Sequence, residues 1–253
     1  MLCSLWLHEI SRLEILNTTT HKREINRLIE EGFVKGYDDP RLTTISGLRM
    51  RGVRPEAIRE FVLKFGISKV ETKASMEELL SCNRRMLDSS SKRLFFVRNP
   101  VKLEVPDVPD AIIRLRLHPG IDMGYREYEC GSTYYIDGKD ADLFEEGKAI
   151  RLKNAFSVRI NKKSDGSFSA EYIGAERDDA QVVQWVAEGG FIESELTLIG
   201  DLLADGEFNK NSIAKVRGYA ESYASGLNDG EVVQFERIGF FRFDKKGNTF
   251  LSL

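Results

Sequence analysis

The chain has 253 residues and a formal charge of −3, long enough for one large core or two ordinary ones and too rich in apolar periodicity for a disordered segment. Cys3, Cys82 and Cys130 show no C-x-x-C spacing and the three histidines do not stand at metal-ligand spacing from them, which argues against a zinc framework or a disulfide scaffold. The apolar opening, residues 1–7, is too short for a membrane span and has neither a basic flank nor a small-residue cleavage site, so a soluble protein of a reducing compartment is expected.

The charge is unevenly spread. Residues 1–105 hold 19 Lys and Arg against 14 Asp and Glu, whereas residues 106–253 hold 18 against 26, so composition puts a polyanionic partner on the first part alone. Along that part the apolar spacing predicts short helices. From Lys22 to Glu31, Ile25, Leu28 and Ile29 form one stripe, with Gly32 where a left-handed cap falls. Pro55 opens a second helix in which Ile58, Phe61, Val62 and Phe65 recur at helical spacing until Gly66. Ser75 to Glu78 reads as a capping box for a third, with Leu79, Leu80, Met86 and Leu87 inward and Arg84 and Arg85 outward.

From about Pro100 the period changes to two, the mark of a strand-rich region and a domain boundary. Ile150, Leu152, Asn154, Phe156, Val158 and Ile160 alternate with Arg151, Lys153, Ala155, Ser157 and Arg159, leaving Asn154 as one amide in an apolar row. Asp165-Gly166 and Asp229-Gly230 are hairpin signals, and Asp244 to Asn248 is a further tight connection. Many short strands with such turns predict barrels or sandwiches.

Four segments, in order, carry a resemblance. The first is Ser11-Arg12-Leu13 followed by Thr19-Thr20-His21-Lys22-Arg23. The second is Gly36-Tyr37-Asp38-Asp39-Pro40-Arg41 running into Thr44-Ile45-Ser46-Gly47-Leu48-Arg49-Met50-Arg51-Gly52. The third links His118-Pro119, Met123-Gly124-Tyr125-Arg126 and Arg151-Leu152-Lys153-Asn154-Ala155; the fourth is Gln234-Phe235-Glu236-Arg237-Ile238-Gly239-Phe240. Together they resemble the glutamyl and glutaminyl branch of the class I aminoacyl-tRNA synthetases. The short interval between Asp137 and Gly147 is more similar to glutamyl-tRNA synthetases of the archaeal/eukaryotic type, and the chain resembles their C-terminal part.

The resemblance implies an α+β fold: residues 1–97 as the end of a catalytic domain and a helical domain contacting the tRNA stem, residues 98–253 as two antiparallel, ribosomal-protein-like β-barrels that bind the anticodon. It makes Lys22 and Arg23 the catalytic cations of the second ATP signature, with His21 where the family has serine. Phosphate contacts fall to Arg41, Arg49 and Arg51, with Arg54 and Arg59 nearby, since guanidinium forks bridge phosphate oxygens. By position alone the same arginines equally make a solvated helical face, and Asp38 and Asp39 read as capping residues. Arg126, Asn154, Gln234 and Arg237 match the family's anticodon readers; guanidinium and amide groups suit unstacked bases. Gln234 and Arg237 are three apart, so a strand end or bulge must lie between them if both reach RNA. Tyr125, where serine is usual, reads as barrel packing, and His118, Pro119 and Trp185 read as structural.

The family's other signature, His-x-Gly-His, is absent, since no second histidine lies three residues after His8, His21 or His118. What the resemblance implies is therefore part of a cytoplasmic glutamate–tRNA ligase, using ATP with Mg2+ as substrate and holding no metal in this chain. The partners are tRNA(Glu) and, possible in a split enzyme, a separate chain carrying the nucleotide-binding half, with no membrane. Two alternatives stay open: a stand-alone, non-catalytic tRNA-binding module, and part of a glutaminyl-tRNA ligase.

Overall fold

A computed structural model describes residues 12–66, 70–164, 166–176 and 179–253, with Ser164 described by its backbone alone; Cys3, His8, Ser11 and Asp165 lie outside them. The chain packs as two units. One takes in the chain up to Ser90 together with Ile199–Ala214 and Leu253, and the other holds Ser91–Leu198 and Lys215–Ser252.

The first unit is built from short helices whose ends are written in the sequence. Helix α1 (Lys22–Glu30) buries Ile25 and Leu28, and beyond its end Gly32 takes φ +74°, a conformation costly for any residue with a Cβ. Helix α2 (Ile45–Arg51) is capped by Thr44, whose Oγ1 accepts from the Gly47 amide at 2.9 Å, and closes on Gly52 at φ +92°. Helix α3 (Pro55–Lys64) has Pro55 in its first turn and buries Ala57 and Phe61, whereas Val62 is 48% exposed. Helix α4 (Met76–Asp88) carries both halves of the capping box. The Glu78 amide donates to Ser75 Oγ and the Ser75 amide to Glu78 Oε2, a motif of about 1 kcal/mol. Leu48, Val53, Phe61, Leu79 and Leu80 form the unit's larger core, each contributing ~1.5–3 kcal/mol by leaving water. Buried Asn83 is bonded at both ends of its amide: it accepts from the Arg54 amide and donates to the Gly52 carbonyl, tying α4 to the α2–α3 turn.

A smaller core joins Ile25, Leu28, Val34 and Leu42 to Leu202. Leu202 comes from a segment far along the chain, whose hairpin pairs Leu203–Ala204 with Glu207–Phe208. The Phe208 ring stacks on Phe33 with centroids 4.4 Å apart, and Arg41 Nη1 donates to Ser212 Oγ at 3.1 Å.

The second unit is mostly strand, organised as two seven-stranded sheets with separate apolar cores. In the first sheet the order runs Gln181–Val183, Ala149–Leu152, Ser157–Ser164, Ser167–Gly174, Val101–Glu104, Thr133–Ile136 and Trp185–Ala187. In the second it runs Lys92–Leu94, Val232–Phe235, Gly239–Asp244, Thr249–Ser252, Phe191–Ile199, Ile213–Glu221 and Phe96–Arg98. A two-stranded ribbon, Ile112–Arg116 with Tyr125–Glu129, lies beside them.

The sheets are mixed, which corrects the expectation of purely antiparallel barrels. Ser167–Ser169 runs parallel to Lys102–Glu104, Gln181–Val183 to Ile150–Leu152, Glu195–Thr197 to Thr249–Leu251, and Val233–Phe235 to Lys92–Leu94. Turn signals reveal only hairpins between sequence neighbours, whereas these parallel pairs join distant strands and need no tight turn. Gly230 is a second difference. At φ +79° it follows the 3-10 helix Ser222–Gly226 and leads into the strand at Val232, so Asp229-Gly230 is a turn without a hairpin.

Candidate nucleic-acid interface

Two turns of the second unit, one from each sheet, carry two of the expected base readers. The apolar row from Ile150 to Ile160 is not one strand. It breaks after Leu152 and resumes at Ser157, and Asn154 sits in the turn at φ +58°, exposed. Asn tolerates this left-handed conformation better than most residues, so the amide that looked set into an apolar face points out of the fold. The strand Val232–Phe235 ends before Arg237, which stands at φ +63° in the following turn. A strand end therefore separates Gln234 from Arg237.

The turns are fastened to each other. Lys153 forms a salt bridge with Glu236, so Asn154 and Arg237 each directly follow one member of the pair. Two consecutive buried residues anchor the same two turns: Gln184 Nε2 donates to the Glu236 carbonyl at 2.6 Å, and Trp185 Nε1 to the Lys153 carbonyl at 3.1 Å. Arg237 is held by Asp140, which accepts from Nη1 at 2.8 Å and Nη2 at 3.0 Å. That hydrogen bonding raises the Arg237 guanidinium above its ordinary value. Lys153 and Glu236 stand inside two of the segments that carry the family resemblance, whereas Gln184 and Asp140 lie outside them; Trp185 reads from the sequence as structural.

Arg126 has a different environment from the one expected. It is 4% exposed, and each of its three guanidinium nitrogens is engaged: Nη2 donates to Glu221 Oε1 at 2.9 Å, Nε to Glu221 Oε2, and Nη1 to the Arg116 carbonyl at 2.7 Å. Tyr128 donates to the same carboxylate at 3.0 Å. Burial pushes Glu221 up, and the Arg126 charge works against that rise. The guanidinium lies 5.1 Å from the Phe95 ring centre, and Lys153 Nζ lies 5.9 Å from the same centre. A continuous set of contacts thus runs from Arg126 across Phe95 to Lys153 and Glu236, but Arg126 itself is buried, with every guanidinium nitrogen held inside the fold. The strand pattern shows why: Arg126 alternates in register with Tyr128 on the inward face of the ribbon, and only the presence of Glu221, 95 residues away, makes an arginine there tolerable.

Tyr125 corrects an expectation in the other direction. Rather than packing in a barrel it is 39% exposed, with the Arg114 guanidinium 4.1 Å from its ring centre, a cation–π contact on the outer face of the ribbon. Gln234 is half-buried between Arg93 and Phe240 in the sheet, with Oε1 enclosed and lacking a hydrogen-bond partner.

In the first unit Lys22 and Arg23 occupy the first turn of α1, both exposed, after His21 at the N-cap. The loop before them is pinned. Thr19 is buried and donates to Glu24, its Oγ1 accepts from the His21 amide at 3.1 Å, and Arg12 reaches Thr20 at 3.0 Å and the His21 ring at 3.1 Å. Two cations at the positive end of a helix make a locally electropositive point suited to phosphate oxygens.

The arginine-rich turn divides. Arg41 is buried, with Nε and Nη2 on Asp39 at 2.8 Å each and Nη2 also on the Phe33 carbonyl at 2.7 Å. Burial alone would raise Asp39, but the Arg41 hydrogen bonds, the Lys35 amide and the Arg41 charge outweigh it and hold the carboxyl below its ordinary value. Arg51 is buried as well, with Nη2 donating to the Ile199 carbonyl at 3.2 Å. Arg49, Arg54 and Arg59 remain exposed. The glycine between the arms of this motif has a steric reason: a Cβ on Gly47 would lie 2.6 Å from the Asp39 carbonyl and 2.7 Å from that of Leu42.

Comparison with known proteins follows the same division. Residues 2–89 match the family model of the catalytic domain of class I (E and Q) tRNA synthetases. Residues 91–176 and 182–244 match two models of the anti-codon binding domain of the same synthetases. The chain is 36% identical over 245 residues to a glutamate–tRNA ligase of Nitrosopumilus maritimus, covering 96% of this chain and 42% of that protein. It is 37% identical over 237 residues to that of Cenarchaeum symbiosum, with 92% and 42% covered. Against the Pyrococcus abyssi enzyme it is 36% identical over 241 residues, with 92% and 40% covered. The chain thus spans about two fifths of the length of these relatives. Among the described residues no cluster of His, Cys, Asp or Glu is arranged to hold a metal ion, and no helix is long and apolar enough to cross a membrane.

Proposed function

We propose that this chain, which belongs to the class I (E and Q) tRNA synthetases, is the C-terminal, tRNA-binding part of a glutamate–tRNA ligase. The observation that carries the reading is the fastened pair of turns that presents Asn154 and Arg237 together, within the two segments that match anti-codon binding domains. An amide and a guanidinium at adjacent turn tips offer donors and an acceptor to splayed bases, and their backbones are fixed before RNA arrives, which limits the ordering cost of binding. The acidic balance of residues 106–253 is compatible with this, because base reading depends on local groups while net charge governs nonspecific affinity.

In the complete enzyme, the glutamate carboxylate attacks the α-phosphate of ATP with Mg2+, giving an aminoacyl adenylate and releasing pyrophosphate, and the aminoacyl group then passes to the terminal ribose of tRNA(Glu) with release of AMP. Such chemistry rests on positioning and on cations that stabilise phosphate charge. Lys22 and Arg23 are assigned that electrostatic role here. Contact with the tRNA stem is assigned to the exposed Arg49, Arg54 and Arg59 of the helical unit, not to Arg41 and Arg51, whose guanidinium groups are buried. Anticodon contact is assigned to Asn154 and Arg237, with Arg126 as a support beneath them, and the cytoplasm is taken as the working compartment.

The direct test is binding of the 253-residue chain to tRNA(Glu) and to a tRNA with an unrelated anticodon at one fixed salt concentration. The reading expects tighter binding of tRNA(Glu), with the preference abolished by Asn154→Gly combined with Arg237→Ala. Equal binding of both tRNAs by the unaltered chain would sink it.

A further inference from the structure

Inside the first unit lies a cavity of about 130 Å³ whose walls include Thr18, Arg51, Glu77 and Asp201. Two residues of this wall carry a polar atom that is shut off from solvent and has no hydrogen-bond partner among the described residues, Arg51 Nε and Thr18 Oγ1. Most buried polar atoms of a folded protein are hydrogen-bonded; two unpartnered ones in the wall of one small cavity call for a shared occupant. The side chains around them are already committed. Glu77 is ion-paired with Arg84, Asp201 Oδ2 accepts from Asn17 Nδ2 at 2.8 Å, and Arg41, also on the wall, is paired with Asp39. Among the described residues Arg51 has no ion pair, and its guanidinium donates to the neutral Ile199 carbonyl at 3.2 Å. A guanidinium buried to 5% exposure with no carboxylate hydrogen-bonded to it is an expensive arrangement, and burial lowers it to about 10 despite the fields of Asp201 and Glu77.

We propose that this cavity binds one phosphate-sized oxyanion, which accepts from Arg51 Nε and from the Thr18 hydroxyl. The Nε–H supplies a charge-assisted donor and the hydroxyl a second, convergent one, and the space is too small for a nucleoside. The proposal is independent of the RNA reading: the oxyanion is either free inorganic phosphate or the terminal phosphate of a nucleotide whose remainder stays outside. Asp201 sets the sign of a further effect. It shares the cavity with the anion, so removing its charge strengthens binding.

The test is equilibrium dialysis of the full chain with radiolabelled inorganic phosphate at constant ionic strength, alongside a 5′-phosphorylated dinucleotide as competitor. The expected result is one saturable site per chain. Thr18→Val and Arg51→Lys, which keeps the charge but lacks Nε–H, each weaken binding at least about 10-fold, the worth of one charge-assisted hydrogen bond. Asp201→Asn tightens it several-fold. Competition by the dinucleotide identifies a terminal phosphate as a source, and its absence restricts the site to the free ion. No saturable binding by the unaltered chain overturns the proposal, as does binding unchanged in Thr18→Val, a variant of the same shape that retains the fold even if Arg51→Lys does not.

Discussion

Lys153 and Glu236 join the turn of one sheet to the turn of the other, and each is followed by a residue with positive φ, Asn154 and Arg237. The pair is partly exposed, at 29% and 17% for the two side chains, so its worth lies in geometry more than in stability. Lys153→Ala is expected to weaken binding of tRNA(Glu) by about 3- to 10-fold with little change in unfolding free energy. The check is a binding isotherm beside a denaturant titration. An equal loss on a tRNA with another anticodon would mean that only a positive charge had been removed.

Asn154 allows side chain and backbone to be separated. Asn154→Gly keeps the left-handed turn and deletes the amide, so the fold holds while preference for the cognate anticodon falls. Asn154→Val forces a β-branched residue to φ +58° and should cost about 1–2 kcal/mol of stability. Thermal unfolding of both variants decides: equal destabilisation would remove the turn conformation as the reason for asparagine.

The Arg126–Glu221 pair makes the opposite kind of prediction. Removing one partner, as in Arg126→Met, strands a carboxylate that is 1% exposed and should cost about 3–5 kcal/mol. The double variant Arg126→Met with Glu221→Leu should recover most of that loss, since neither charge is then left alone. Chemical denaturation of the three variants measures the coupling. A double variant no more stable than the single would argue that Arg126 contributes through the Phe95 ring and not through the carboxylate.

Asp39 gives the first unit an acid dependence. Its carboxyl is held below the ordinary value of 3.8, chiefly by Arg41 acting against burial. A depressed folded value means that stability is present above the unfolded value and disappears as pH falls through the folded one. Asp39→Asn should therefore be less stable than the unaltered chain at pH 7, with the gap narrowing only below about pH 4. A gap that stayed constant down to pH 2 would assign the effect to lost packing.

What the sequence disclosed is what short-range physics controls. Ser75 and Glu78 declare a helix start because both hydrogen bonds lie within three residues, and Pro55, Gly32 and Gly66 mark ends through their own φ. The alternation of Ile150, Leu152, Phe156, Val158 and Ile160 identified five buried residues correctly, although the chain turns at Asn154 between them. Long-range partners were not legible. Arg126, Arg41 and Arg51 look like surface cations until Glu221, Ser212 and Ile199 are brought to them across 95, 171 and 148 residues. For the same reason the parallel strand pairs and the clamping of two turns by Gln184 and Trp185 escape a reading of local pattern.

The segment Ile199–Ala214 lends Leu202, Phe208 and Ser212 to a unit whose other described residues, Leu253 aside, precede Ser91. During synthesis the helices emerge more than a hundred residues ahead of the piece that completes their smaller core. At ribosomal speeds of 5–20 residues per second that is a wait on the order of ten seconds. For that interval Phe33, Ile25 and Leu28 lack their final cover and the Arg41 guanidinium lacks its hydroxyl acceptor. The nascent chain therefore passes through a defined window in which the early-made unit is open to chaperones and proteases, and the window shuts when residue 214 leaves the tunnel.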